Sequence, residues 1–333
     1  MTAPDWQQTG PSDEGLVRCL HAALEGGARA CPFAHMPYAA LPGAAASVGE
    51  LLLADAIAVF ASVSRTGGLR AALIVCHLPW DSEFFGQPVY ALRVLAPSDD
   101  VVDPDDWREG LARAMDLVRE RAPGAHVSCR VYPDNAGLLA ALPDSGFWLV
   151  DTQLHMIARR ADLNDIRPGA AVIRLNDAAQ HGPLVEAFAR TCAFPSRLSR
   201  DAFFDPARVA EMNHRWLRQL CFDENGVAFG VLSQGRLAGF AGGQLMTEPA
   251  GNGTRQFVSR ILAGSVPGKG AQGFYAMSRL GATVAKQAAY VEAVISVANT
   301  GALRMVERLG YRTFAASHCF HFRPVSATPP PAR

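Results

Sequence analysis

One pattern occurs twice in this chain of 333 residues and constrains its fold more than any other feature of the sequence. Asn135 precedes Gly146 by eleven positions, Asn299 precedes Gly310 by the same spacing, and an aromatic residue comes after each glycine. An apolar run typical of a strand comes before and after each copy. Self-similarity of this kind predicts two halves that share one architecture.

Composition and length support a folded chain of two domains. Apolar residues make up 49% of the chain and charged residues 19%, which is typical of globular proteins. Lysine plus arginine and aspartate plus glutamate both number 31, so no net charge attracts the chain to nucleic acid or to a membrane surface. The seven cysteines are dispersed and show no C-x-x-C spacing, so we predict neither disulfides nor a metal site.

The N-terminal segment lacks a charged region followed by an apolar one, and the most apolar stretch, 51–63, contains Asp55. These features predict a cytoplasmic protein that does not enter the membrane. The sequence leaves open whether it is a monomer or a homodimer.

Strand-like runs alternate with helical patterns, which predicts an α/β or α+β fold. The polar, proline-containing stretch 159–169 predicts a junction between an N-terminal domain, 14–160, and a C-terminal domain, 168–323. Residues 1–13 and 324–333 hold few apolar residues, and we predict flexible tails there.

A glycine-rich loop, V-P-G-K-G-A-Q-G at 266–273, lies between a predicted strand and a predicted helix. Glycines allow a tight turn with exposed N–H groups, and a helix N-terminus adds partial positive charge, so the loop could hold a diphosphate. Lys269 could add charge or simply be solvated. By itself such a loop could also be an ordinary turn.

A second motif, downstream of the loop, makes the pattern more specific. After the predicted strand 291–297 comes N-T-G-A-L-R-M-V-E-R-L-G-Y, residues 299–311. This segment resembles the GNAT superfamily of N-acetyltransferases, whose pattern there is N-x-x-A-x-x-x-Y-x-x-x-G-F/Y. The arginine or glutamine that opens the family's loop falls on Pro267 or Gly270, depending on the alignment.

The resemblance implies a GNAT fold, a mixed twisted sheet flanked by helices, in two tandem halves of which the N-terminal one is degenerate. It also implies acetyl-CoA as co-substrate, held where two parallel strands splay apart, with an open strand edge for its pantetheine arm. For Asn299 the alternative is a simple helix cap. The residues that the resemblance assigns to the coenzyme are Leu262, Ala263, Ser265, Val266, Gly268, Lys269, Gly270, Ala271, Gln272, Gly273 and Asn299.

GNAT enzymes transfer an acyl group directly to an amine, with a base or water relay for the ammonium proton and backbone N–H groups for the carbonyl. A tyrosine often protonates the leaving thiolate, but Val306 stands at its position here. Four residues could replace it, or the thiolate could leave unassisted. These candidates are Tyr275, Tyr311, Ser296 and His318.

The segment L-P-W-D-S-E-F-F-G at 78–86 and the segment 195–204 resemble the TDP-fucosamine acetyltransferase subfamily, which implies a small-molecule amine on a nucleotide-linked amino sugar. Asp81 and Glu83 could bind its ammonium or hydroxyl groups, and Arg197 and Arg200 its diphosphate. Surface ion pairing is the alternative for all four. Two other hypotheses are acylation of an amino acid or natural-product amine, and a non-catalytic acyl-CoA sensor.

Overall fold

The computed structural model describes residues 6–25, 29–31, 52–64, 68–96, 102–163, 171–192, 194–250, 253–284 and 287–324. Strands and helices alternate along these ranges, so the predicted mixed α/β class is confirmed. Residue contacts divide the chain into two units, with Met1–Thr152 and Ala316–Arg333 in unit 1 and Gln153–Ala315 in unit 2. None of the helices in the described ranges combines the length and apolar character needed to cross a membrane.

Unit 1 is a mixed sheet with helices packed against it. Its strands and helices are β1 (Trp6–Thr9), β2 (Arg29–Cys31), β3 (Ala56–Val63), β4 (Leu69–His77), β5 (Val89–Ala96), β6 (His126–Val131), α1 (Glu14–Glu25), α2 (Pro79–Phe85), α3 (Pro104–Arg121) and α4 (Ala136–Asp144). The strand order is β1-β3-β4-β5-β6, and the end of β13 (Arg312–Phe322) pairs antiparallel with β6. Apolar spacing over 105–121 predicts a helix with Trp107, Leu111, Met115 and Val118 on one face, and this face of α3 packs into the core.

The N-terminal segment contributes a strand to unit 1, and the prediction of a flexible tail over 1–13 is wrong for residues 6–9. β1 pairs antiparallel with β3. Trp6 is fully buried, its ring lies 5.6 Å from that of Trp107, and its Nε1–H donates to the carbonyl of Asp106 at 2.8 Å. One large aromatic side chain with a satisfied N–H therefore anchors a very short strand. Residues 1–5 and 325–333 lie outside the described part of the chain.

Unit 2 is a second mixed sheet with helices on both faces. Its strands and helices are β7 (Trp148–Arg159, from residue 153 onward), β8 (Val172–Arg174), β9 (Gly226–Ser233), β10 (Arg236–Ala250), β11 (Gly253–Ser265), β12 (Tyr290–Ser296), α5 (Ala178–Ala189), α6 (Pro206–Phe222), α7 (Gly270–Val284) and α8 (Thr300–Arg308). The strand order is β7-β12-β11-β10-β9-β8. α7 packs with Val258 and Val291 on one face, and α5 and α6 pack with Phe240 and Leu262 on the other.

The last strand in each unit comes from the other half of the sequence. In unit 1, residues 318–322 of β13 pair with β6, and in unit 2, residues 153–159 of β7 pair with β12. The predicted ranges 14–160 and 168–323 divide the chain only once, so they differ from the contact units at these strands. The division into a degenerate N-terminal domain and a coenzyme-binding C-terminal domain stays a prediction.

The two copies of the sequence repeat have the same local structure. Asn135 caps the start of α4 and Asn299 caps the start of α8, and each side chain accepts a hydrogen bond from the backbone N–H three residues later at 3.2 Å. Gly146 and Gly310 come after these helices with φ of 85° and 95°. The repeat therefore marks one strand–helix–strand unit in both halves, and the predicted tandem architecture is confirmed.

Alanine at the two repeat glycines makes a matched pair of variants. Both substitutions put a side chain at positive φ, which costs about 1–2 kcal/mol. A Cβ at Gly146 would touch the Phe322 ring at 3.4 Å, whereas a Cβ at Gly310 would overlap the carbonyl oxygen of Asp162. We expect Gly310→Ala to lower the free energy of unfolding by at least about 1 kcal/mol more than Gly146→Ala. Urea unfolding followed by circular dichroism measures both, and equal losses would contradict the packing at Gly310.

Candidate functional site

β11 and β12 are parallel neighbours that pair at one position within residues 253–265 and 290–296, Val258 with Val291. β11 runs seven residues further, to Ser265, and β12 runs five further, to Ser296. β11 stays paired with β10 as far as Ser265, so the edge that opens is the one facing β12. We call this opening the fork, with its apex at Val258 and Val291 and its mouth at Ser265 and Ser296.

A β-bulge bends β11 directly after the apex. The register with β10 passes from Gln244 opposite Ser259 to Gly242 opposite Leu262, which leaves one extra residue on β11. Arg260 in this bulge has a φ of 53°, a costly value for a residue other than glycine. Bulges bend a strand and increase its twist. This bulge therefore accounts for the separation of β11 from β12.

The edge of β11 that faces the fork can accept another extended chain. Backbone N–H and C=O groups along an unpaired strand edge bind amides in the manner of an added strand. Leu262, Ala263 and Ser265 lie on this part of β11, beyond the bulge. Val266 is the next residue, and its N–H donates to the carbonyl of Ala238 at 3.0 Å.

The glycine-rich loop lies at the mouth of the fork. Gly268 has a φ of 76°, a value that favours glycine, and the N–H of Lys269 donates to the carbonyl of Val266 at 3.0 Å. α7 begins at Gly270, and residues 270–273 include no acidic side chain. Because the first N–H groups of a helix have no partner within it, this arrangement is typical of an anion site.

Glycines bring the start of α7 close to the sheet. A Cβ at Gly239 would overlap the backbone of Gln272, and a Cβ at Gly273 would lie 3.0 Å from the carbonyl oxygen of Gly264. A Cβ at Gly270 would meet no described atom within 4 Å. Packing therefore requires glycine at position 239 and leaves little room for a side chain at position 273, while the space over Gly270 is open.

A polar pair that sequence analysis missed lies at the apex. Glu292 is only 3% exposed, and its Oε2 accepts a hydrogen bond from Ser259 Oγ at 2.7 Å. Alternation along the strands puts both side chains on the face opposite α7, because Val258 and Val291 pack on the α7 side. The signal in the sequence is a single acidic residue within the apolar strand V-E-A-V-I-S, 291–296.

The corresponding strands of unit 1, β5 and β6, are much less open. They pair at four consecutive positions, from Val89 to Leu92 of β5. Residues 94–96, beyond that pairing, pair with β2. Because β4 already pairs with the other edge of β5, β2 must occupy the edge that β6 leaves. In unit 1 a strand of the chain itself therefore takes the position that is open in unit 2.

The helix after β5 also differs from α7. The side chain of Asp103 caps α3 and accepts from a backbone N–H at 2.9 Å, and Asp105 and Asp106 lie in its first turn. Carboxylates at a helix N-terminus satisfy the amides and the positive end of the dipole that would otherwise attract an anion.

Comparison with solved structures identifies this architecture, although no protein-family model and no curated protein matches the sequence. A GCN5-related N-acetyltransferase from Sphaerobacter thermophilus matches with a TM-score of 0.58 at 16% identity, over 98% of each chain. A tandem GNAT protein from the clavulanic acid biosynthesis pathway matches with a TM-score of 0.52 at 14% identity, over 97% of this chain and 99% of that one. The fold is that of the GNAT proteins.

A glucosamine N-acetyltransferase region of a fungal multi-domain GH3 β-N-acetylglucosaminidase has the same fold. It matches with a TM-score of 0.58 at 12% identity, over 97% of this chain but only 38% of that longer one. Identities this low show a common GNAT fold and leave the substrate open.

Two of the predicted site residues lie at the end of β12, Ser296 as its last residue and Asn299 three residues further on. Asn299 caps α8, which is the alternative that the sequence left open, and its N–H donates to the carbonyl of Ser296 at 2.9 Å. Ser296 Oγ accepts from the N–H of Ala298 at 3.2 Å. Both side chains stabilise the turn at this side of the mouth. A coenzyme role for Asn299 and an acid role for Ser296 stay predictions.

The other candidate acids lie in different surroundings. Tyr311 is 3% exposed and packs in the core with Val306, and burial raises the pKa of its hydroxyl well above the ordinary range. These facts favour a packing role for Tyr311 over the predicted catalytic one. Tyr275 on α7 is partly buried against Phe274. His318 lies in unit 1, with its Nδ1 at 2.9 Å from Thr152 Oγ1.

The four predicted acceptor contacts are divided between the units. Asp81 and Glu83 lie on α2 in unit 1, whereas Arg197 and Arg200 lie between α5 and α6 in unit 2. All four side chains are partly or fully exposed. Neither unit by itself contains the whole predicted set.

Cys192 lies beside β11, and its surroundings make its thiol a poor nucleophile. Its Sγ is 3.5 Å from the carbonyl oxygen of Ser265, and burial raises the pKa of the thiol to about 11. Because the raised pKa keeps the thiol protonated, only about one thiol in a thousand is ionised at about pH 8. An acyl-cysteine intermediate at Cys192 is therefore disfavoured.

We expect Cys192 of the native protein to resist iodoacetamide at about pH 8 and to react faster as the pH approaches its pKa. The partly exposed Cys19 serves as the reactive internal control. Mass spectrometry of the digested protein measures both residues. Labelling of Cys192 as fast as Cys19 at about pH 8 would contradict the described burial.

Proposed function

We propose that the protein is an N-acyltransferase that binds acetyl-CoA in the fork of unit 2 and transfers its acetyl group to the amine of a small molecule. The observation that supports this most is the open edge of β11 beside the glycine-rich loop. The edge offers backbone hydrogen bonds for the amides of pantetheine, and the loop with the start of α7 offers N–H groups for the diphosphate. The GNAT fold agrees with this function.

In the proposed reaction the acceptor nitrogen attacks the thioester carbonyl, a C–N bond forms, and the C–S bond breaks. Backbone N–H groups of β11 beyond the bulge would polarise the carbonyl oxygen, and Lys269 would add charge near the diphosphate. The fork holds the two reactants together, which removes most of the entropic cost of their encounter. A thiol pKa near 8.5 makes the thiolate a tolerable leaving group, so Val306 does not prevent transfer.

The acceptor that the sequence resemblance implies is an amine on a nucleotide-linked amino sugar. Arg197 and Arg200 of unit 2 are the proposed contacts for its diphosphate. A contact of Asp81 and Glu83, which lie in unit 1, with its ammonium or hydroxyl groups stays a prediction from the sequence. The proposed acceptor for unit 2 therefore combines an amine with a strongly anionic group.

A second acceptor class is favoured by the face of the sheet on which Glu292 lies. Val294 lies two residues further along β12 and is 40% exposed, and its cross-strand partner His155 contacts the ring of Phe314, itself 37% exposed. Exposed apolar side chains beside a carboxylate suit an amine that carries an apolar group. Such an amine could be an amino acid or a natural-product intermediate.

Thiol release from acetyl-CoA, followed by mass spectrometry of the product, tests the function with a panel of amines. The panel needs nucleotide-linked amino sugars, amino acids and apolar primary amines. Acetylation of at least one amine supports the proposal. Tight binding with no transfer to any of them would favour a non-catalytic acyl-CoA-binding protein, the alternative that the buried Val306 supports.

We expect calorimetric titration with acetyl-CoA to give one site per chain. Unit 2 offers an open edge and an anion site, whereas in unit 1 the corresponding edge is occupied by β2 and the helix start carries carboxylates. A stoichiometry of two, or no heat at all, would contradict the proposal.

Gly270→Asp tests the anion site without disturbing the fold. Asp is favourable in the first turn of a helix, and the space over Gly270 is open, so stability should be kept. The added charge should repel the diphosphate and weaken acetyl-CoA binding at least about tenfold. Gly182→Asp on α5, where a Cβ also meets nothing within 4 Å, adds the same charge as a control. Equal affinities for the two variants would argue against a diphosphate at the start of α7.

A further inference from the structure

We propose that Ser259 and Glu292 form a proton relay that deprotonates the acceptor amine, an inference that rests on the acyltransferase function proposed above. The pair is the first beyond the apex on both strands of the fork, since Ser259 comes directly after Val258 and Glu292 directly after Val291. Its two members are 33 residues apart in the sequence and meet because the strands meet there.

The position of the pair fits the end of the fork where the thioester would lie. The glycine-rich loop is at the mouth, so an arm that starts at the loop and runs along the edge of β11 leads toward the apex. Both side chains project on the face opposite α7. An acceptor that approaches the thioester from this face would meet Ser259 and Glu292 first.

The difference in exposure between the two side chains makes them a relay rather than a single base. Glu292 is 3% exposed, which is too little for direct contact with a bulky acceptor, whereas Ser259 is partly exposed. The hydroxyl of Ser259 donates its proton toward Glu292 Oε2 at 2.7 Å. A hydroxyl that donates one hydrogen bond still has lone pairs to accept another, and these can take an N–H of the acceptor.

The relay takes one proton from the acceptor nitrogen before the amine attacks, and the nitrogen loses a second proton afterwards without the relay. An ammonium proton moves to Ser259 Oγ while the Ser259 hydroxyl proton moves to Glu292 Oε2, which gives a neutral amine and a neutral carboxylic acid. The amine then attacks the thioester carbonyl, the C–N bond forms, and the C–S bond breaks. The second nitrogen proton goes to the CoA thiolate, which leaves as the free thiol. Glu292 returns its proton to solvent through Ser259, so that one proton is released for each amide formed.

Glu292→Gln is the decisive variant, because glutamine keeps an oxygen that accepts from Ser259 and cannot take a proton. With an amine that the wild type acetylates, we expect kcat/KM to fall by about 10²-fold or more. Its activity should then follow the fraction of acceptor that is already the neutral amine, so kcat/KM should rise with pH up to the pKa of the amine, while the affinity for acetyl-CoA and the thermal midpoint stay unchanged. A purely structural hydrogen bond would leave the pH profile as it is.

Three further variants sharpen the test. Ser259→Ala should lose activity to a similar degree, and Ser259→Thr should restore part of it because the hydroxyl returns. Glu211→Gln removes an exposed carboxylate on α6 and should match the wild type.

Two results would overturn the relay alone. In one, the wild type transfers acetyl groups, but Glu292→Gln and Ser259→Ala keep its kcat/KM and pH profile, and the acyltransferase function then stands alone. In the other, the variants lose activity only together with acetyl-CoA affinity or thermal stability, which marks a structural pair. Failure of the wild type to bind acetyl-CoA, or to release thiol with any amine, would overturn the relay and the proposed function together.

Discussion

The proposed site depends on one structural feature, the separation of β11 from β12 after a single residue pair, Val258 with Val291. Backbone N–H and C=O groups inside a protein almost always find partners, so a sheet that opens between two parallel strands needs a cause and something to bind there. The bulge at Arg260 is the cause, since it turns β11 while β10 still supports its other edge. A ligand with amides along its length would restore hydrogen bonding on the open edge. The glycine-rich loop at the mouth suits a ligand whose outer end is anionic.

In the two halves of the chain, the corresponding strand edge is occupied in one half and open in the other. Both contain the same strand–helix–strand repeat, with Asn135 and Asn299 as matching helix caps. In unit 1 the strand β2 pairs with the edge of β5 that β6 leaves, which shows that such an edge accepts an extended chain. The carboxylate of Asp103 occupies the helix start there. The described residues of unit 2 show neither feature, and this difference is the reason that we place the proposed binding site there.

The sequence predicted features that depend on neighbouring residues, and it missed pairings and side-chain contacts between distant segments of the chain. The repeat and the face of α3 were predicted because caps, turns and apolar spacing are properties of neighbouring residues. The strand around Trp6 is too short to show a period, and its stability comes from a side chain about a hundred residues away. The pairing of β2 and the contact between Ser259 and Glu292 join distant segments, so no local pattern announces them. The loop at the fork was predicted because a resemblance to the GNAT pattern supplied the tertiary context.

Hydrogen–deuterium exchange with and without acetyl-CoA is the most direct test of the fork. It reports on the backbone amides that the ligand would engage, and the matching strand in unit 1 is an internal control. We expect slower exchange in peptides that cover 259–266 and 268–273 when acetyl-CoA is bound, with no change in those that cover 89–96. Unchanged exchange at the fork under saturating acetyl-CoA, or equal protection of β5, would contradict the assignment of the coenzyme to the fork.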